Sequence, residues 1–130
     1  NVISLRRLVP AGGHAIDVLT GDMDLRPAVG DEEFIPLDSD KPENPLPGEI
    51  IFVEGKTVLT RRWTWRQARH TLVTPSTSAV EINVDGLPPI TVMEVDEACR
   101  EIAGLMERFC GCRTRWEILN KDKPGISLQP

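Results

Sequence analysis

One long amphipathic helix after a series of short strands limits the folds that this chain can adopt. Thr91 and Glu94 have the spacing of a capping box, and Gly111 is well placed as a helix stop. The sequence therefore predicts a helix over about residues 92–110. Its apolar residues recur at helical spacing and are predicted to face a core: Val95, Ala98, Cys99, Ile102, Met106 and Phe109.

Short strands are predicted around this helix. Residues 50–53 and 57–62 flank Glu54-Gly55-Lys56, which is the pattern of a hairpin. Residues 23–26, 33–37 and 116–119 have the composition of further short strands, whereas the prolines of residues 38–48 predict a loop. Several strands that pack with one long helix predict an α+β domain.

Residues 79–84 alternate between apolar and polar side chains, as a half-buried strand does. Successive side chains of a strand point to opposite faces of the sheet. We therefore expect Val80, Ile82 and Val84 to face a core, and Glu81 and Asn83 to share the opposite face.

Composition excludes several classes of protein. The 130 residues are 40% hydrophobic and 27% charged, which is ordinary for one globular domain. No apolar run approaches the length of a membrane span, and the N-terminus lacks a signal-peptide pattern. Cys99, Cys110 and Cys112 do not match the usual spacing of zinc ligands. We expect a cytoplasmic protein with reduced thiols, no membrane contact, no metal and no other cofactor.

A basic and aromatic segment stands out in a chain whose net charge is −5. Residues 55–80 contain no Asp or Glu, but they contain five basic residues: Lys56, Arg61, Arg62, Arg66 and Arg69. Trp63 and Trp65 would share one face of a strand, where at least one is expected to pack in the core. The pattern predicts an RNA-binding or anion-binding surface, with Trp65 as a stacking plane. The alternative is an ordinary strand whose arginines are solvated or paired with acids elsewhere.

A series of short motifs occurs along most of the chain in the order of a known domain. Asn1 precedes a short apolar element, Pro10 and the run HAID at residues 14–17. The run RRWTWRQ at residues 61–67 is followed by Thr74-Pro75 and Thr77, and then by DGLP at residues 85–88. In this order and spacing the chain resembles the B3/B4 domain of the bacterial phenylalanyl-tRNA synthetase β subunit, and especially its free-standing relatives.

The resemblance implies a mixed or antiparallel β-sheet with packing helices, and an editing module that hydrolyses the ester of a mischarged tRNA. Asn1 matches an asparagine of the amino-acid pocket, and His14 matches the histidine beside the ester. The family's pocket glutamate aligns with Asn83, and Glu81 lies two residues away on the same predicted face. The implied catalytic residues are His14, Glu81 and Asn83. The implied substrate-binding residues are Asn1, Gln67, Thr74 and Thr77, and the implied RNA-binding residues are Arg61, Arg62, Arg66, Arg69 and Trp65.

The chain also departs from the family pattern in ways that leave its activity open. Asn83 stands where the family has a carboxylate, and Gln67-Ala68 stand near the position of a glycine pair that makes room for the substrate. The leading hypothesis is an aminoacyl-tRNA deacylase that acts in trans at the tRNA acceptor end. The alternatives are a non-catalytic module that binds tRNA, another RNA, an amino acid or a partner protein, and an enzyme of carboxylic metabolites on the same scaffold.

The position of Asn1 bears on the domain organisation. In the proteins that the chain resembles, more than half a domain precedes this asparagine. Residues 1–130 are therefore expected to form the C-terminal half of a B3/B4-like domain, with the N-terminal portion missing or on another chain. Such a half would expose apolar strand surface and associate with the missing portion or with itself as a homo-oligomer.

Overall fold

The computed structural model describes residues 1–127. The helices are α1 (Val2–Arg7) and α2 (Val92–Cys110). The strands are β1 (Ala11–Ala15), β2 (Met23–Pro27), β3 (Ile50–Glu54), β4 (Thr57–Arg61), β5 (Arg66–Gln67) and β6 (Val80–Val84). Within the described residues, neither helix combines the length and the apolar character needed to cross a membrane.

The chain divides into two compact units. The central unit is Gly12–Asn83, and the terminal unit combines Asn1–Ala11 with Val84–Pro130. The division falls inside β1 and β6, which pair with each other in a two-stranded sheet. The other sheet has the order β2-β3-β4-β5, and each of its neighbouring strands pairs antiparallel. The predicted α+β class is confirmed.

The predicted hairpin forms the centre of the larger sheet. β3 and β4 pair antiparallel around Glu54-Gly55-Lys56, where Gly55 takes a φ of +59°, a conformation that glycine adopts without a Cβ clash. Side chains of both strands enter the core of the central unit, together with residues from the preceding and following segments. This core contains Ala28, Phe34, Ile51, Val53, Val58 and Ala68.

The terminal unit is built on α2. Its predicted bounds are confirmed: the Thr91 hydroxyl accepts a hydrogen bond from the Glu94 N–H, the Glu94 carboxylate accepts one from the Thr91 N–H, and Gly111 ends the helix at φ +65°. Ala98 is buried with Ile3 of α1 and with Val9. The prediction that Phe109 is a core residue is wrong, because its side chain is 71% exposed in the last turn.

Three predicted strands are also corrected. Residues 33–37 take part only in isolated bridges, and residues 116–119 form no strand. Arg62 and Trp63 have φ values of 50° and 65°, which end β4 in a turn before β5 begins at Arg66. An extended strand cannot continue through such residues. Trp63 and Trp65 therefore lie in a turn, and the prediction that they share a strand face is wrong.

Candidate functional site

The imidazole of His14 lies at the centre of a buried polar cluster in the central unit. His14 is on β1 and its side chain is fully buried. Its Nδ1 atom lies 2.8 Å from Oε2 of Glu81 on β6, and its Nε2 atom lies 3.4 Å from the hydroxyl of Thr60 on β4. The ring also contacts Phe52, with 5.0 Å between ring centroids. The cluster therefore joins residues from both sheets around one histidine.

The orientation of β6 differs from the prediction. Residues 80–84 do form a strand, but the side chain of Glu81 is only 15% exposed, whereas Ile82 is 38% exposed. Glu81 turns toward His14, so the strand presents its polar face to this cluster. The prediction that Ile82 faces a core is wrong, whereas Val84 does pack against the core of the terminal unit. Alternation identified which residues share a face but not which face is covered.

Two glycines allow β6 to approach β1 closely. A Cβ atom on Gly13 would lie 3.3 Å from the carbonyl oxygen of Glu81. A Cβ atom on Gly12 would lie 3.0 Å from Oδ1 of Asn83 and 3.1 Å from Cγ2 of Thr64. Distances this short are tighter than ordinary carbon contacts, so side chains here would push the strands apart. The lack of side chains at Gly12 and Gly13 thus allows the close pairing of β1 and β6, the strands that carry His14 and Glu81.

The contacts of His14 define what its two nitrogens can do. A carboxylate only accepts hydrogen bonds, so the contact with Glu81 keeps a proton on Nδ1. Nε2 then lies opposite the Thr60 hydroxyl, which can act as a donor or as an acceptor. The ring holds Oε2 of Glu81 in place and leaves Oε1 of the same carboxylate for a further donor. A positioned carboxylate of this kind can orient and deprotonate a water molecule.

Of the other predicted substrate-binding residues in the central unit, Gln67 is connected to this cluster by hydrogen bonds, whereas Thr74 and Thr77 form a separate turn. Nε2 of Gln67 donates to the hydroxyl of buried Thr71 at 3.1 Å, and the Thr71 carbonyl accepts from the N–H of Ala15, next to His14. Gln67 is therefore linked to the strand that carries His14. Thr74 and Thr77 form an exposed turn, in which Oγ1 of Thr77 accepts from the Thr74 N–H at 2.9 Å. Their hydroxyls stabilise this turn.

Asn1 lies in the terminal unit, where it is the N-cap residue of α1 and its side chain makes no capping hydrogen bond. The remaining predicted catalytic residue, Asn83, belongs to the central unit and lies on β6 beside Gly12. The structure thus brings His14 and Glu81 into direct contact, with Asn83 two residues further along the same strand.

The basic segment is largely neutralised by acids from other parts of the central unit. Arg61 is buried and pairs with both Glu43 and Glu49. Arg66 pairs with Glu43, and Arg69 pairs with Asp40. The contacts of these three arginines therefore favour the alternative hypothesis, in which the arginines pair with acids elsewhere in the chain.

Apart from the three paired arginines, two predicted RNA-binding residues are exposed to solvent. Arg62 is exposed, and the indole of Trp65 is 80% exposed. Both lie in the turn between β4 and β5. An exposed tryptophan beside an exposed arginine offers a plane and a charge to a ligand, and the RNA-binding role of these residues stays a prediction.

The paired carboxylates of this region are held ionised. The hydrogen bonds from the Arg61 guanidinium lower the pKa of Glu49 to about 2. The hydrogen bond from Arg66 is the main cause that lowers the pKa of Glu43. Near β6, hydrogen bonds from Ser78 lower the pKa of Asp17. These carboxylates are therefore anionic at neutral pH.

Sequence reasoning missed two residues that touch His14, namely Thr60 and Phe52. Both lie on the predicted hairpin, but no spacing rule relates a hairpin to a histidine 46 residues from Thr60. In the part of the chain that the structure describes, no group of three or more His, Cys, Asp and Glu side chains is arranged to hold a metal ion.

The family model of the B3/4 domain matches residues 1–111, which include every strand of the His14 cluster and the whole of α2. A search of curated proteins finds no significant match.

Proposed function

The chain belongs to the B3/4 domain family, and from this membership we propose that it hydrolyses mischarged aminoacyl-tRNA in trans. Membership supports a tRNA-binding or editing-related module. The contact between buried His14 and Glu81 supports hydrolysis in addition to binding, because it holds a partly exposed carboxylate in a fixed position.

In this proposal Glu81 is the catalytic residue and His14 is a positioning residue. His14 is fully buried, so it acts through Glu81 and does not touch the substrate. Oε1 of Glu81 takes a proton from a water molecule while the water oxygen attacks the carbonyl carbon of the ester. The bond between this carbon and the ribose oxygen then breaks, and the ribose oxygen receives the proton that Glu81 took from the water, which returns Glu81 to its carboxylate form. The products are a free amino acid and an uncharged tRNA.

Recognition is assigned to the residues around this carboxylate. Asn83 and Gln67 supply amide groups near this carboxylate. Thr74 and Thr77 add hydroxyl groups. Arg62 and Trp65 meet the acceptor end by charge and by stacking. The reaction uses no metal or nucleotide, and it is assigned to the cytoplasm.

A second function is a non-catalytic module that binds RNA or an amino acid on the same fold. The full burial of His14 and the pairing of Arg61, Arg66 and Arg69 favour this alternative, because both are typical of structural interactions. The two functions differ in one measurable way. Only a hydrolase releases amino acid from a mischarged tRNA, and the rate of this release is expected to depend on the charge of Glu81.

The test compares Glu81→Gln and Asn83→Ala with wild type in two assays, release of amino acid from a mischarged tRNA and retention of tRNA. Glu33→Gln is the matched control, because Glu33 is exposed and the change in charge is the same. We expect Glu81→Gln to lose about 100-fold or more in the rate of hydrolysis and to keep tRNA binding. Equal hydrolysis rates for Glu81→Gln and Glu33→Gln would refute the catalytic role.

The positioning role of His14 has its own readout. We expect His14→Gln to lower kcat and leave KM near the wild-type value, since His14 is expected to orient the carboxylate without touching the substrate. A purely structural role would instead reduce the amount of folded protein and leave kcat per folded molecule unchanged. Circular dichroism of each variant measures the folded fraction.

A further inference from the structure

Two guanidinium groups in the central unit converge on a single carboxylate. Oε2 of Glu43 accepts hydrogen bonds from Nη1 of Arg61 at 2.7 Å and from Nη1 of Arg66 at 2.7 Å. Oε1 of Glu43 accepts a further hydrogen bond from Nη2 of Arg66 at 3.0 Å. Three N–H donors from two arginines thus surround the position of one anion. This is the arrangement in which arginine pairs bind phosphate.

The two arginines have supports that do not depend on Glu43. Nε and Nη2 of Arg61 donate to the two oxygens of Glu49, each at 2.8 Å. Both guanidinium groups lie over the ring of buried Phe34, at 5.5 Å for Arg61 and 5.1 Å for Arg66. Because Glu49 still pairs with Arg61, removal of Glu43 would leave a preformed pair of guanidinium groups in which Arg66 has lost its hydrogen-bonded carboxylate.

Glu43 can leave this position by rotation of its side chain alone. Its backbone is fixed to Phe34 by two hydrogen bonds of 2.8 and 2.9 Å, so the chain around it does not have to move. The side chain of Glu43 is 38% exposed and that of Arg66 is 30% exposed. A ligand can therefore reach Arg66 from solvent while the carboxylate of Glu43 turns outward. The lowered pKa of Glu43 keeps its carboxylate anionic, so this carboxylate can take the place of an anionic ligand beside the two arginines.

We propose that Arg61 and Arg66 form a phosphate-binding site that the side chain of Glu43 occupies in the free protein. The ligand is a phosphate group, which takes the place of the carboxylate and accepts the same three N–H donors. A ligand therefore binds only if it displaces the carboxylate of Glu43 from the two guanidinium groups. The assignment of this phosphate to tRNA rests on the proposed function, whereas binding to the site involves no hydrolysis.

The experiment measures binding by isothermal titration calorimetry at low ionic strength, with wild type, Glu43→Gln and Asp40→Asn. Asp40→Asn is the matched control, because it removes one negative charge from the same segment but frees Arg69. Inorganic phosphate and a short single-stranded RNA are titrated separately. If Glu43 occupies the site nine-tenths of the time, its removal raises the apparent affinity about tenfold. Asp40→Asn is expected to stay near the wild-type value.

The double variant Glu43→Gln/Arg66→Gln is expected to lose this increase. An increase with both ligands shows that a phosphate group alone suffices, and an increase with RNA alone identifies a nucleic-acid phosphate as the source. Equal affinities for Glu43→Gln and Asp40→Asn with both ligands would overturn the proposal. Glu43→Ala is measured in the same way if Glu43→Gln does not fold. Because no hydrolysis is measured, this result is independent of whether the protein is a deacylase.

Discussion

The ion pair between Glu49 and Arg61 predicts a specific dependence of stability on pH. Both side chains are buried, at 8% and 6% exposure, and two hydrogen bonds of 2.8 Å join them. These bonds lower the pKa of Glu49 from 4.5 to about 2. A difference of this size between the unfolded and folded protein corresponds to about 3 kcal/mol of folding free energy. We therefore expect Glu49→Gln to lower the free energy of unfolding by about 3 kcal/mol at pH 7.

The sign of the pH effect follows from the direction of the pKa shift. Because folding lowers the pKa of Glu49, its contribution is complete well above pH 4.5 and is lost as the pH falls toward about 2. At pH 3.5 roughly 1.4 kcal/mol of this contribution should already be lost. The difference in stability between wild type and Glu49→Gln should therefore narrow by that amount between pH 7 and pH 3.5.

The assay is urea denaturation of wild type, Glu49→Gln and Glu33→Gln at pH 7, 4.5 and 3.5. Circular dichroism and tryptophan fluorescence follow the transition, and the two signals must agree for a single free energy to apply. Glu33→Gln should lie within about 0.5 kcal/mol of wild type at every pH, because Glu33 is exposed. A difference between wild type and Glu49→Gln that stays constant from pH 7 to pH 3.5 would refute this account of the ion pair.

Two further predictions concern the terminal unit. Thr91→Ala removes the hydroxyl that accepts the Glu94 N–H, and should lower the free energy of unfolding by about 1 kcal/mol in urea denaturation, whereas Thr91→Ser should restore most of it. Gly86→Ala places a Cβ atom against Cγ2 of half-buried Val95, and should destabilise by about 1–3 kcal/mol. The double variant Gly86→Ala/Val95→Ala should be less destabilised than the sum of the two single variants, since the clash is removed. Additive losses would show that Gly86 and Val95 do not compete for the same space.

Local signals were sufficient for the elements that local interactions determine. The bounds of α2 follow from the capping box at Thr91 and from the glycine at position 111. The hairpin of β3 and β4 follows from two apolar runs around Gly55. In both cases the residues that determine the structure lie within a few positions of each other. For the same reason the turn at Arg62 and Trp63 was missed, because neither residue is a usual signal for a positive φ.

The contacts of the site depend on residues that are far apart in the sequence. The resemblance pointed to His14 and Glu81, but no pattern showed that a hydrogen bond joins them across 67 positions. The charge of the basic segment was evident, whereas the pairing of Arg61 and Arg66 with Glu43 required the path of an irregular, proline-containing loop. Periodicity also left the covered face of β6 undetermined, since burial depends on what packs against the strand.

A deacylation screen over a panel of mischarged and correctly charged tRNAs tests the proposed hydrolysis directly. Wild type, Glu81→Gln and Glu33→Gln are compared at equal concentration, and the released amino acid is quantified over time. The proposed function predicts that wild type and Glu33→Gln hydrolyse at least one mischarged pair and spare the correctly charged tRNAs, and that Glu81→Gln does not accelerate hydrolysis. Absence of hydrolysis by wild type on every pair, with tRNA still retained in a binding assay, would contradict it.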